Sequence, residues 1–257
     1  MLTLSNIYQY PVKSMRGNAL THSRLDEMGV AGDRVWLLAE PDGTFITARS
    51  FPELLRWQAQ IEADGTLHLF APDGDSRRIA PSALAAEQNV RVWKDRFSAH
   101  GGDGETDAWL SHKLARPVRL HYIGGVSQRL LQGQTPLSFA DGAPVLLTHT
   151  ASLDALNREL GESFSMNRFR ANLVVAGGEA FAEESWQRIR IGGVVLRHYK
   201  PCTRCVLTTI CPDTLVKHPA QQPLLWLAKN RRALFGVNLL VEQGGSLSVG
   251  DRVEILE

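Results

Sequence analysis

Three thiols lie close together in a chain with no other cysteine: Cys202 and Cys205 in the stretch KPCTRCVLTT, Lys200 to Thr209, and Cys211 just beyond it. A C-x-x-C pair admits several chemistries. A zinc site takes four ligands, commonly from two such pairs or from a pair and a nearby C-x-x-H. Here only Cys211, His198 and His218 are near in sequence, at spacings that match no common finger. An iron–sulfur cluster lacks its fourth cysteine. A thioredoxin-like redox pair opens a helix after a strand, whereas Val206 to Ile210 is rich in β-branched residues and reads as a strand. Inert hydrophobic thiols in a core would fit any of the three. One further chemistry needs a single thiolate: a soft metal such as Mo, Cu or Fe, carried by an organic cofactor, takes one protein sulfur as its anchor. Lys200 and Arg204 would favour a thiolate, and Cys205 sits between Arg204 and Thr208-Thr209, a polar setting for a core thiol.

Cations at the ends of expected strands are the other chemically suggestive residues. Lys13 and Ser14 follow the first strand, Asp33-Arg34 precedes the second, Thr47-Ala-Arg49 ends a hairpin, and Arg168-Phe-Arg170-Ala-Asn172 leads into an apolar strand. Strand-end loops are where ligand groups usually sit. Lys, Arg, Ser and Asn converging there suit a phosphorylated or polycyclic anionic ligand, since Arg binds phosphate bidentately. Each taken singly is more often a solvated surface charge or a partner for a nearby Asp or Glu. His149 and His198 could donate protons near neutral pH, or be hydrogen-bonded structure.

The elements that must position these residues are mostly strands. Asn6–Tyr10, Arg34–Ala39, Thr44–Ala48, Trp57–Ile61 and Thr66–Phe70 are short apolar runs, punctuated by Asp42-Gly43, Asp64-Gly65 and Asp73-Gly74, whose glycines supply positive φ. Such grammar predicts a barrel or sandwich. Helices are expected after Thr106, from Thr150 with Leu153, Leu156 and Leu160 at helical spacing, and from Pro223. Later strands are Asn172–Ala176, Arg188–Arg190, Val194–His198, Val237–Val241 and Asp251–Ile255. The predicted class is mainly β with a few helices (α+β), with a boundary between about Phe97 and Ala115.

Composition narrows the function classes. A net charge of +1 over 257 residues argues against nucleic acid or a membrane surface as the main partner. The N-terminus does not read as a signal peptide, and no run approaches the roughly 18 apolar residues that span a bilayer. Three clustered cysteines make a poor disulfide framework, which points to a reducing cytoplasm.

The combination YPVKSMRG, GDRVWLL, FITAR, LSFADGAP, RFRANLVV, KPCTRCVLTT and VGDRVEIL resembles the MOSC family over essentially the whole chain, most closely its YcbX-like and amidoxime-reducing-component-like members. The resemblance implies an N-terminal MOSC β-barrel region at 1–105 packed on a MOSC β-barrel domain at 106–257. It implies a molybdenum-cofactor (molybdopterin) reductase of N-hydroxylated compounds, the metal held by the dithiolene and one cysteine, which falls on Cys205. Lys13 and Ser14 match the family's V-K-S, Arg34 its D-R, and Arg170 and Asn172 its F-R-x-N; all are implied to hold the cofactor, cradled between the two regions. Asp141, Gly142 and Ala143 match a loop whose backbone would contribute. Pyridoxal phosphate binding comes with the resemblance as a further family association. Three departures stand out. Cys211-Pro212 replaces a usual Asp-Pro, Phe235-Gly-Val-Asn238 loses one amide of F-G-Q-N, and no C-x4-C-x2-C run of a C-terminal [2Fe–2S] ferredoxin domain follows. Electrons are therefore expected from a separate ferredoxin- or flavoprotein-type donor, and the chain is expected to be a monomer. The alternative is a non-catalytic cofactor or sulfur carrier using a persulfidable cysteine.

Overall fold

A computed structural model describes all 257 residues. The chain is mainly β with three α-helices, Gly104–Leu114 (α1), Thr150–Leu160 (α2) and Leu224–Arg231 (α3), the class its short apolar runs predict. Two compact units are woven from interleaved segments: Met1–Gln9, Ala19–Ala31 and Gly142–Glu257 in one, Tyr10–Asn18 and Gly32–Asp141 in the other.

The unit that contains the C-terminus is built on a sheet. Its strands are, neighbour to neighbour, Thr3–Gln9, Leu173–Ala176, Val145–His149, Leu234–Gln243, Val194–Thr203, Arg188–Ile191 and Val253–Ile255. Val145 and Leu147, Leu173 and Val175, and Val237 and Leu239 point into one core, as the two-residue period of a strand requires, and Leu4 and Ile7 join it across a register shift in their strand. Burying one such side chain fully contributes about 1.5–3 kcal/mol, so this cluster fixes the register of the strands. Val145–His149 and Leu173–Ala176 pair in parallel, with α2 as the crossover. His149 ends the first of these strands and caps α2, its Nδ1 accepting from the Ala151 N–H at 3.1 Å. Leu156 of α2 and Leu227 of α3 then close a smaller core with Phe169 and Phe235.

The other unit carries a four-stranded sheet ordered Trp36–Ala39, Arg119–Tyr122, Asp95–Gly101, Ala86–Val92, and a three-stranded sheet of Gln58–Ile61, Leu67–Phe70 and Ser76–Ile79. The Asp-Gly turns form where expected. At Gly43, φ is +82° and a Cβ would lie 2.2 Å from the Asn89 carbonyl oxygen, so only glycine fits.

Two expected strands do not form. Thr44–Ala48 makes isolated bridges, Ala39 with Phe45 and Thr44 with Arg91. The run breaks because the Thr47 carbonyl accepts from Ser50 and Phe51, and its hydroxyl accepts from the Arg49 N–H. Val206–Thr209 is a 3-10 turn, not a strand. Threonine hydroxyls decide this against β propensity: Thr208 Oγ1 donates to the Cys205 carbonyl at 2.9 Å and Thr209 Oγ1 to the Val206 carbonyl at 2.7 Å. A helical turn after C-x-x-C removes one argument against a redox pair. Against such a pair, Val194–Thr203 runs antiparallel to both its neighbours, unlike the parallel βαβ setting of a thioredoxin-like motif.

Candidate functional site

In the unit containing residues 32–141, a tight turn presents Lys13. The Met15 N–H bonds the Val12 carbonyl at 3.2 Å, the Lys13 N–H bonds the Trp36 carbonyl at 2.9 Å, and Ser14 adopts φ 73°. That geometry drives the Lys13 side chain inward until it is 4% exposed. Its Nζ donates to the Phe139 carbonyl at 2.7 Å and pairs with the Asp141 carboxylate. Burial pushes the Lys13 pKa down to about 8, outweighing the attraction of Asp141.

Asp141 is the hub of this cluster. Besides Lys13 it accepts from Arg49 Nη2 at 2.6 Å and from Trp93 Nε1 at 3.1 Å, and the Arg49 guanidinium lies over the Trp93 ring, 4.7 Å from its centroid. Partial burial would raise the Asp141 pKa, but the charges and hydrogen bonds of Lys13 and Arg49 hold it well below the usual carboxylate range. Arg34, in the left-handed region at φ 52°, bonds the fully buried Asp33 at 2.5 Å and lies over the Tyr10 ring at 4.5 Å. Asp33 in turn accepts from the Tyr10 N–H at 2.8 Å. Three cations thus share two carboxylates.

Two members of this cluster are missing from the sequence-based site. Arg49 had a signal, the strand-end FITAR. Trp93 had none beyond its type: it occupies the turn between Ala86–Val92 and Asp95–Gly101 at φ 56°, a conformation a bulky side chain rarely adopts. Asp141 also contributes more than backbone, since its side chain is the acceptor for three donors.

The other unit holds the remaining candidates. Cys205 is half-buried and caps the 3-10 turn, at the end of the strand that carries Cys202. All three cysteines are free. The Arg204 guanidinium donates to Cys202 Sγ at 2.8 Å and to the Phe169 carbonyl at 2.5 Å. Phe169 stacks on Phe235 with centroids 4.0 Å apart, so the arginine rests on a rigid base. Hydrogen bonding from Thr214, helped by the Arg168 charge, lowers the Cys211 pKa. Arg170 follows the turn Met166–Phe169 with φ 53°. Asn172 is buried, and its amide stitches strand ends: Oδ1 accepts from the Leu146 N–H at 3.2 Å and Nδ2 donates to the Tyr8 carbonyl at 3.3 Å. Gly142 leaves room beside Lys200, whose Nζ would lie 3.9 Å from a Cβ there, and Ala143 is buried.

The human "Mitochondrial amidoxime reducing component 2" is 32% identical over 279 residues, covering 98% of this chain and 82% of that protein. The chain belongs to the MOSC family. Family models match the MOSC N-terminal beta barrel domain at residues 1–117 and the MOSC domain at 134–254. The human "Mitochondrial amidoxime-reducing component 1" is 30% identical, covering 99% of this chain and 83% of that protein. A rice "Molybdenum cofactor sulfurase" is 27% identical over 93% of this chain but 32% of its own length. Lys13, Ser14, Arg34, Arg49 and Trp93 fall within the first MOSC match; Asp141, Arg170, Asn172 and the cysteines fall within the second. No group of three His, Cys, Asp or Glu side chains is placed to hold a metal ion. A pterin-borne metal that needs one thiolate and cationic anchors for its phosphate fits that donor set. Pyridoxal phosphate appears in none of these names and has no separate support. No helix is long and apolar enough to cross a membrane.

Proposed function

We propose that this MOSC chain is a molybdenum-cofactor-dependent reductase of N-hydroxylated and related N-oxygenated compounds, with Cys205 as the protein ligand to the metal. The observation that carries the reading is the donor set: a half-buried thiol on a rigid turn, with no cluster of further metal-ligating side chains. The whole-chain similarity to amidoxime reducing components gives the reaction class. When bound, the cofactor supplies two-electron removal of oxygen from N–OH, yielding the reduced amine and water.

The chain's own residues hold and orient. Cys205 is fixed by the turn that Thr208 and Thr209 close. Lys13, Arg34 and Arg49 offer an excess of positive charge to the anionic end of the cofactor, and Asp141 and Asp33 keep those cations in place. Ser14 and the 141–143 loop supply further polar contacts, and Arg170 adds a cation from the turn that precedes Leu173–Ala176. Asn172 acts through the strand ends it ties together. His149 caps α2 through Nδ1, which accepts from the Ala151 N–H. Electrons come from a separate donor protein.

A carrier of cofactor or sulfur is the second reading, favoured by the likeness to the molybdenum cofactor sulfurase. Metal analysis of protein made in a cofactor-competent host separates the two. The reductase carries about one molybdenum per chain and turns over N-hydroxylated substrates with a reduced dye; the carrier bears persulfide without molybdenum. Cys205→Ala should abolish turnover. Normal rates in that variant at full molybdenum content would sink the assignment.

A further inference from the structure

Charge is distributed unevenly along the chain. Lys200 to Ala233 holds six cations (Lys200, Arg204, Lys217, Lys229, Arg231 and Arg232) against one anion, Asp213, a net +5 in a protein whose total is +1. The rest of the chain is therefore net −4. This basic segment is the one that carries Cys205.

The structure places four of these cations at the surface: Lys200, Lys217, Lys229 and Arg232 are exposed and make no ion pair, whereas Arg231 is spent on Glu184 at 2.7 Å and Arg204 on Phe169 and Cys202. Two bonds bracket the Cys205 turn with these groups. On one side the Arg204 N–H bonds the Ala233 carbonyl at 2.7 Å, next to Arg232; on the other the His218 N–H bonds the Thr209 carbonyl at 2.9 Å, next to Lys217. Leu225 and Lys229 lie at i and i+4 on one face of α3, Arg232 ends the helix in the left-handed region at φ 52°, and all three are exposed. Val216 is 64% exposed and Leu225 41%. Exposed aliphatic groups among unpaired cations are the composition of a transient protein interface, in which charge steers and a small apolar patch seats the partner.

We propose that the surface formed by Val216-Lys217, Leu225 and Lys229 of α3, Arg232 just past its end and Lys200 docks a small acidic electron-carrier protein beside Cys205. The proposal rests on the reductase reading, because a carrier is required there only if electrons enter at that residue. Charge complementarity commits the site to an acidic protein. Unpaired lysines and arginines raise the encounter rate with an anionic partner and do so less at high salt, since the screening length is about 8 Å at physiological ionic strength.

The test compares the molybdenum-loaded protein with its triple variant Lys217→Glu, Lys229→Glu, Arg232→Glu, none of which is placed at the cofactor. Reduced methyl viologen serves as a donor that needs no docking; an acidic plant-type ferredoxin and a flavodoxin serve as protein donors. The expected result is unchanged dye-driven turnover, carrier-driven turnover about tenfold lower at low salt, and loss of the parent's salt dependence. Equal carrier-driven rates in parent and variant overturn the proposal. So does a parent that binds neither carrier in direct titration while binding a single-stranded DNA 20-mer. If the parent shows no dye-driven turnover at full molybdenum content, the reductase reading fails, and the titration alone decides the surface: carrier binding lost in the variant supports it, equal binding overturns it.

Discussion

The buried ammonium of Lys13 should impose a pH dependence on folding that one substitution removes. Its proton is held with a pKa of about 8 in the folded chain, against 10.5 for an ordinary lysine. Below pH 8 both the folded and the unfolded chain carry the proton, and the fold bears the cost of a charge at a side chain only 4% exposed. Between pH 8 and 10.5 the unfolded chain binds more protons than the folded one, so stability rises with pH in that window. At about 1.4 kcal/mol per tenfold change in proton affinity, the rise is about 3 kcal/mol. Lys13→Met keeps the length and apolar stem while deleting the charge. Asp141 keeps Arg49 and Trp93 as donors and is 47% exposed, so it is not stranded. Replacing a buried ion pair by an apolar side chain is often neutral or stabilising, so the variant should match or exceed the parent at pH 7 and lack the rise above pH 8. Urea unfolding of both proteins at half-unit steps from pH 7 to 10.5 measures this, since every other titrating group is common to the pair. Parallel curves would refute the reasoning, as would a variant less stable than the parent by about 3 kcal/mol or more at pH 7, the cost of breaking a buried pair. The same substitution should lower molybdenum content per chain, which metal analysis reads independently of stability.

Glu183 gives the opposite sign. Full burial raises its pKa from 4.5 to about 7, against the Ser152 hydroxyl that donates to it at 2.9 Å. The folded chain then binds the extra proton between those values, and stability falls by about 3 kcal/mol as pH rises from 4.5 to 7; Glu183→Gln should flatten that fall in urea titrations. Gly43→Ala should cost about 2 kcal/mol or more, because it combines strain at positive φ with a backbone clash; a loss below 0.5 kcal/mol in equilibrium unfolding, flagged by the usual scatter of surface substitutions of about that size, would contradict the turn geometry. Thr208→Val deletes the hydroxyl bond to the Cys205 carbonyl and should cost about 1 kcal/mol while loosening the thiol; faster alkylation of Cys205 in the variant checks it.

The sequence by itself determined the punctuation of this protein. Asp-Gly pairs place turns because glycine alone reaches positive φ cheaply, and the leucines of α2 set that helix because helical spacing puts them on one face. The motifs that carry the family resemblance were likewise legible. What lay between turns was less so. Val206–Thr209 has strand-forming residues but folds as a 3-10 turn because two hydroxyls bond back to carbonyls three residues earlier, a local competition that propensity does not rank. Asn172 reads as a ligand contact, and only the fold shows that its amide also ties together Leu146 and Tyr8, far apart in sequence. Trp93 carried no chemical signal. It became part of the cluster because Asp141, 48 residues on, accepts its N–H together with two cations. Charges could be counted along the chain, but which of them are spent on carboxylates and which stay free depends on neighbours that only the tertiary structure supplies. That difference separates the buried Lys13 from the exposed Lys217.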